Sequence, residues 1–434
     1  MNTVVLGMWH LGSVTAAAMA EAGHRTVGLD PDPQVIEALG EGRPPLYEPF
    51  LAETIVREQA GGRLSFTTDP AVIAGADLLW VAIDTPVDEA DRAEVGVVEA
   101  AIHACFDLLK ENSIVLVSSQ LPVGSIARLE RAFALRSGGR RVGFASWPEN
   151  LRLGEALARF RKADRIVLGL REPWVRKRLE PIARDFSREV LVMGVESAEM
   201  SKHALNAYLA TCIAFTNEVA SLCEVSGADA REVERALRSD PRVGPKAYVR
   251  AGGPFAGGTL ARDLGYLSAL GEDRGVAVPL LRAVPVSNAA HHHWSRRRLL
   301  EMLGNLDGRP IAVLGLTYKI DTDTLRRSAA IELIHWLVAQ GARVSAFDPR
   351  VRTLPEALAP VVTLAASWEG ACQGAEAVIV TQGRPEFEEM TPALLREIMR
   401  RPLVLDPERA VESTLGAVPG NESGEIAYVT VGRP

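Results

Sequence analysis

Two hydrophobic rhythms alternate along this chain. Short unbroken apolar runs, bounded by glycine and charged residues, are separated by longer stretches in which apolar positions return every three or four residues. TVVLG opens the first such unit, the Ala-rich run SVTAAAMAEAG continues it across a turn, and RTVGLDPD closes it, which predicts strand, helix and strand within the first 30 residues. The same unit returns late in the chain as IAVLGLTYK, AAIELIHWLVAQGA and RVSAFDP. GHRTVGLDP and GARVSAFDP are close copies: a glycine closes the helix in each, and the second strand of each ends in an acid followed by proline, Asp30 and Asp348. Further unbroken runs, DLLWVAI (77–83) and SIVLVSS (113–119) in the first half, AEAVIVT (375–381) and PLVLD (402–406) in the second, suit strands buried on both faces of a parallel sheet.

These patterns predict an α/β protein with two Rossmann-like, doubly wound domains. Between the two, SAEMSKHALNAYLATCIAFTNEVASLCEVSG reads as one uninterrupted helix, capped by Ser197 and ended by Gly227. A helix of about 30 residues spans ~45 Å at 1.5 Å per residue, which suits a connector and a dimer interface. The Gly/Arg-rich text from 238 to 263 reads as loop. The expected division is a first nucleotide-binding domain over 1–194, a central helical dimerisation domain over 195–300 and a second nucleotide-binding domain over 301–434.

Composition narrows the function classes. A chain of 434 residues with 47% hydrophobic and 24% charged residues is that of a multidomain globular protein. The net charge of -7 is spread along the chain, so there is no basic footprint for nucleic acid, and an anionic ligand must be held locally. MNTVVLGMWHLG enters a strand without a basic leader, and no apolar run reaches the length of a membrane span, so the cytoplasm is the expected location. Cys105, Cys212, Cys223 and Cys372 lack CxxC spacing and read as reduced, mostly buried thiols. The triplet His291, His292 and His293 runs into WSRRRLLEML and reads as a solvated helix face, with no metal expected.

GMWHLG follows the first strand and opens a helix, with Asp30 lying 23 residues beyond Gly7. That context marks a dinucleotide site: the helix N-terminus donates N–H groups to the pyrophosphate and Asp30 accepts the ribose hydroxyls, favouring NAD over NADP. Trp9 stands where the full glycine fingerprint has its middle glycine, the one that lets the backbone approach the phosphates. The alternative is a Rossmann-like domain with a degenerate nucleotide site.

The ordered set Gly7 and Gly12, Asp30, LYEPFL (46–51), Thr85-Pro86, LPVGS (121–125), PENLRLG (148–154), KHALNAYLAT (202–211), DPRVG (240–244), GGTLARD and LGLTYKIDTDTLRRS (314–328) resembles the UDP-glucose/GDP-mannose dehydrogenases along nearly the whole chain. Members of that family use two NAD to oxidise a nucleotide-sugar C6 alcohol to the acid. The resemblance implies a homodimeric enzyme acting on a nucleotide sugar, with a UDP-sugar expected, and two Rossmann-like domains joined by a long central helix. It implies Glu149 at the reacting carbon, and Lys202 and Asn206, four apart on one helix face, holding the oxygen that becomes negative. It sets Asp263 beside the nucleophile position, Thr259. Gly7, Trp9, Leu11, Gly12, Asp30, Thr85, Gln120 and Arg326 fall at the family's cofactor positions, and Leu151, Arg242, Phe255, Gly258 and Lys319 at its substrate positions, with Arg242 reaching a partner subunit's substrate.

Three departures bear on mechanism. Where the family has cysteine in GGSCLPKD this chain has Thr259; its STVPxGT becomes SQLPVGS, with Gln120; its PEFLREG becomes PENLRLG, with Leu153. A thiol captures the sugar aldehyde so that the second oxidation leaves a thioester, whereas a threonine hydroxyl has no comparable anion without a dedicated base. Among the cysteines Cys212 is nearest, but six residues past Asn206 it points about 120° away on a helix of 3.6 residues per turn. Three readings follow: an oxidoreductase halted or diverted after one oxidation, a full four-electron dehydrogenase, or a nucleotide-sugar-binding protein without turnover.

Overall fold

The structure, a computed structural model, describes residues 1–434 except 87, 89–92, 150, 256–257, 319–323, 327 and 417–425. It divides into two compact units, Met1–Leu205 and Asn206–Pro434, and the boundary falls inside one long helix.

The first unit is built on eight strands: β1 (Asn2–Leu6), β2 (Arg25–Leu29), β3 (Leu64–Thr67), β4 (Leu78–Val81), β5 (Ser113–Val117), β6 (Val142–Ser146), β7 (Ile166–Leu170) and β8 (Val190–Met193). Their order is β3-β2-β1-β4-β5-β6-β7-β8. All neighbours are parallel apart from β6 and β7. The unbroken apolar runs are explained by burial on both faces. Leu78 and Trp80 of β4 pack into one core with the helix His10–Glu21, while Leu79 and Val81 pack into the other with Val98, Ile102 and Phe106. Chain order reverses between β1 and β4, and this switch point is where a doubly wound sheet opens a ligand crevice.

The second unit carries a six-stranded sheet of β9 (Pro310–Leu314), β10 (Arg343–Phe347), β11 (Val362–Leu364), β12 (Ala377–Val380), β13 (Leu403–Asp406) and β14 (Ala427–Thr430), in the order β11-β10-β9-β12-β13-β14. All its neighbours are parallel. Ala377 and Ile379 of β12 face one core and Val378 and Val380 the other. The duplicated sequence unit is a duplicated backbone: Gly7 N–H donates to Leu29 O at 2.9 Å, and Gly315 N–H donates to Phe347 O at 3.0 Å.

Three details differ from the sequence reading. The long helix is Val195–Ser226, 32 residues, so Ser197 lies inside its first turn and does not cap it. The chain leaves β8 at Met193, and Ala198 N–H already donates to Gly194 O at 3.0 Å. The supposed loop from 238 to 263 is shorter, since helices Ala230–Ser239 and Thr259–Asp273 cover both its ends. The second of these starts where Gly258 takes φ +91 and buries Asp263, Leu264 and Leu267 on one face. The histidine triplet is not a uniformly solvated face, because His291 is buried with Nε2 donating to Gly252 O at 2.7 Å. Among the described residues no group of three metal-ligating side chains occurs and no helix is long and apolar enough to cross a membrane.

Candidate active site

The glycine loop after β1 is close-packed. Gly7 has φ +92, and a Cβ on Gly12 would lie 1.6 Å from Gly7 O, so helix and strand meet at a distance only glycine permits. Trp9 occupies the N-cap of the helix His10–Glu21 and is 48% exposed. Asp30 at the end of β2 is half-buried and accepts from Met8 N–H at 2.7 Å and Asp32 N–H at 3.0 Å. Each carboxylate oxygen thus keeps a lone pair for a hydroxyl. Leu11 is buried, and its N–H donates at 3.3 Å to Asp84, an acid at the end of β4. Asp84 was not among the expected site residues, although its place directly before Thr85 at the switch point could have marked it. Thr85 Oγ1 donates to Gln120 O at 2.8 Å, tying the loop after β4 to the loop after β5.

The second copy of the motif has a different electrostatic balance. Asp348, the counterpart of Asp30, is 1% exposed and accepts from Leu316 N–H at 2.7 Å, Arg350 N–H at 2.9 Å and Arg384 Nη2 at 2.9 Å. A carboxylate paired with a buried guanidinium holds its own loop and has no free face for a ribose. The two copies therefore divide the work: the first suits a dinucleotide, and the second must hold its ligand by other groups. Lys319, one expected substrate ligand in that second copy, lies outside the described residues. Arg326 is exposed, with its N–H donating to Thr324 Oγ1 at 3.3 Å.

Beside the first sheet a pocket is lined by Ser119, Gln120, Pro148, Glu149, Lys202 and His203. Lys202, 10% exposed, donates from Nζ to Glu149 O at 2.5 Å and stands 3.8 Å from Glu149 Oε1. The other carboxylate oxygen of Glu149 accepts from Leu151 N–H. Two buried contacts dock the long helix here: His203 Nε2 meets Leu121 O at 3.0 Å, and Glu199 accepts from Gly124 and Ile126 N–H at 2.6 and 3.0 Å. Burial pushes the Glu199 carboxyl up, opposed by those two N–H groups at the start of the helix Ser125–Ala134. Ser119 Oγ is buried in the pocket wall without a hydrogen-bond partner, a position the sequence reading passed over.

In the second unit Asn206 Nδ2 donates to Asp263 Oδ2, and Asp263 is fully buried. Thr259 is exposed as the first residue of the helix Thr259–Asp273, directly after Gly258. Phe255 has both backbone polar groups held by Asn288, at 2.9 and 2.8 Å. Arg242 has its side chain 90% exposed and paired with Asp240 at 2.7 Å. Three of the four cysteines are poor nucleophiles: burial pushes Cys105 up to about 11 and Cys372 up to about 12, and Cys223 is raised too, chiefly by burial.

Two mostly parallel nucleotide-type sheets, a dinucleotide loop with a receptive acid and a lysine–carboxylate pocket define a nucleotide-dependent oxidoreductase. The chain belongs to the UDP-glucose/GDP-mannose dehydrogenase family, matching its NAD binding domain over residues 1–187, its central domain over 196–290 and its UDP binding domain over 312–413. It is 35% identical to a UDP-glucose 6-dehydrogenase of Pseudomonas aeruginosa across 100% of this chain and 98% of that protein. It is 30% identical to the UDP-glucose 6-dehydrogenase TuaD of Bacillus subtilis across 99% of this chain and 93% of that protein. The solved UDP-glucose dehydrogenase of Pyrobaculum islandicum superposes with a TM-score of 0.86 at 31% identity, covering 100% of this chain and 98% of that one. The chain is an NAD-dependent nucleotide-sugar dehydrogenase, and the close approach of Gly12 to Gly7 and the half-buried Asp30 fit that cofactor.

Trp9 is the one feature of the loop that opposes it. Trp9→Gly is expected to tighten NAD about tenfold, roughly 1.4 kcal/mol, by clearing the approach to the helix N-terminus, at little cost in capping. Titration of both proteins with NAD checks this, and equal affinities would show that the indole stands clear of the phosphates.

Proposed function

We propose that this enzyme oxidises the primary alcohol of a UDP-sugar once, to the aldehyde, and either releases that product or carries it into a rearrangement. NAD, when bound, accepts the hydride. Lys202 and Asn206 stand one turn apart on the long helix, where an ammonium and an amide hold the alcohol oxygen as it gains negative charge. Glu149, in contact with Lys202, takes up or relays the released proton. Asp263 is oriented by Asn206. Leu151, Phe255, Gly258 and Lys319 contact the substrate, Arg242 reaches that of a partner subunit, and Gln120 and Arg326 approach the cofactor.

The observation that carries the halt is Thr259: an exposed hydroxyl at the start of a helix, in a chain whose Cys105 and Cys372 thiols are raised to about 11 and about 12. The names of the similar P. aeruginosa and B. subtilis proteins favour the second reading, a four-electron oxidation to the acid. Counting NADH per sugar consumed, across a panel of UDP-sugars and with the product analysed, separates the two. One NADH with aldehyde, or no net NADH with a rearranged sugar, supports the halted reaction; two NADH with acid sinks it; binding without conversion sinks both.

The active form is a homodimer formed through the long helix. Tyr208, Phe215 and Leu222 recur every seven residues on it and are 61%, 50% and 65% exposed, an apolar stripe that needs a partner. The family's three matched segments support the division at 1–194, 195–300 and 301–434. Light scattering should give twice the 46.8 kDa of one chain, and a single-chain mass would count against the dimer.

A further inference from the structure

The loop Ala251–Phe255 precedes Gly258 and Thr259 in the chain, and among the described residues its backbone groups bond to no other backbone. Side chains from three helices meet them instead. Glu234 Oε1 accepts from Ala251 N–H at 2.8 Å. Asn217 Oδ1 accepts from Gly252 N–H at 3.0 Å and its Nδ2 donates to Gly253 O at 3.2 Å. His291 Nε2 donates to Gly252 O at 2.7 Å. Asn288 pairs with Phe255 as one strand residue pairs with another, accepting from its N–H at 2.9 Å and donating to its O at 2.8 Å.

The clamp is itself fixed. Asn217, Glu234 and His291 are 1%, 8% and 6% exposed, and Glu234 is paired with Arg409 at 3.0 Å. Gly253 lies directly against the Glu408 carboxylate, since a Cβ there would lie 1.8 Å from Glu408 Oε1 and force that side chain to move. Six polar groups of a short irregular loop are thus satisfied by side chains of helices Val195–Ser226, Ala230–Ser239 and Pro279–His292. A loop held this way has lost its conformational freedom before any ligand arrives, so binding does not have to order it.

We infer that Asn217, Asn288 and His291 are positioning residues, which pre-form the Ala251–Phe255 loop for the nucleotide sugar ahead of the Thr259 helix. The inference deepens the proposed function and rests on its placing Phe255 and Gly258 against the substrate. The two asparagines carry most of the test, because each uses its donor and its acceptor at once. Aspartate keeps the acceptor and the size but turns a second acceptor toward a carbonyl.

The test uses the full-length enzyme with Asn288→Asp and, as a second variant on another helix, Asn217→Asp. Hydrogen exchange corrected for intrinsic rates should quicken at least about tenfold in 251–255 and stay at the wild-type rate in β1, β4 and β9. The fall in turnover should be about 10- to 100-fold, with NAD affinity unchanged. Lowering the pH toward about 5 protonates the new carboxyl, which regains a donor for Phe255 O. Exchange in Asn288→Asp should then slow toward wild type, while wild type, carrying the same Glu234, His291, Glu408 and Arg409, supplies the baseline. A merely structural lesion would not recover.

Wild-type exchange in both variants, or quickened exchange with undiminished turnover, overturns the inference. Should the wild-type enzyme turn over no UDP-sugar, the proposed function fails, and UDP itself becomes the probe of the clamp. About tenfold weaker UDP binding by Asn288→Asp supports it, and equal binding overturns it.

Discussion

Thr259→Cys should convert the reaction from about one NADH per sugar to about two, with the acid as product. The prediction comes from where position 259 sits. It is the first residue of a 15-residue helix, and it is exposed. The aligned peptide dipoles place roughly half a positive charge at that end, and a thiol there is driven toward the thiolate. The same field acts on a threonine hydroxyl to little effect, because its pKa lies so far above neutrality that the anion stays negligible. Asp263, one turn along the same helix, is buried and held by Asn206 of the long helix, beside an introduced thiol. Quantifying NADH and product for both proteins decides the matter. A wild-type enzyme already yielding two NADH and acid would show that the hydroxyl, or water alone, suffices. A variant still yielding one would show that the obstacle lies with Gln120 or Leu153.

Lys202→Met should lower kcat by about 10²- to 10³-fold, the range seen when one preorganised oxyanion donor is removed. Methionine keeps the length and apolar stem of lysine and deletes the ammonium. Lys202 is 10% exposed and its Nζ is fixed on Glu149, so its charge acts in a partly dehydrated pocket where it counts for more than in water. The KM for the sugar should change much less, because the oxygen is neutral in the ground state and charged only at the transition state. A kcat within about fivefold of wild type would remove Lys202 from the oxyanion site. Loss of KM alone would recast it as a binding residue.

The architecture was legible because it is written in repeated local pattern. Unbroken apolar runs can be buried only in a sheet covered on both faces, and Leu78, Leu79, Trp80 and Val81 are all fully buried. The glycines of GMWHLG announced a close approach that the backbone confirms at Gly7 and Gly12. The ends of elements were less legible. Ser197 looked like a cap, yet the helix begins at Val195 because the chain runs into it directly from β8 through Gly194. The loop reading of 238–263 failed at Thr259, where a helix starts in text too rich in glycine and arginine to announce it.

By itself the sequence determined the fold class, the duplicated nucleotide unit and the threonine at 259, since each depends on residue type and spacing along one stretch of chain. Only the tertiary structure decided how two like acids differ. Asp30 and Asp348 stand in matching text, but Arg384, 36 residues away, reaches one of them and buries its charge. Only the fold could show that Asn217, Glu234, Asn288 and His291 grip a single loop, because groups as much as 74 residues apart in sequence converge only when helices pack. Local pattern dictates what each segment can become, and the free energy of burying polar groups with their partners decides which segments meet.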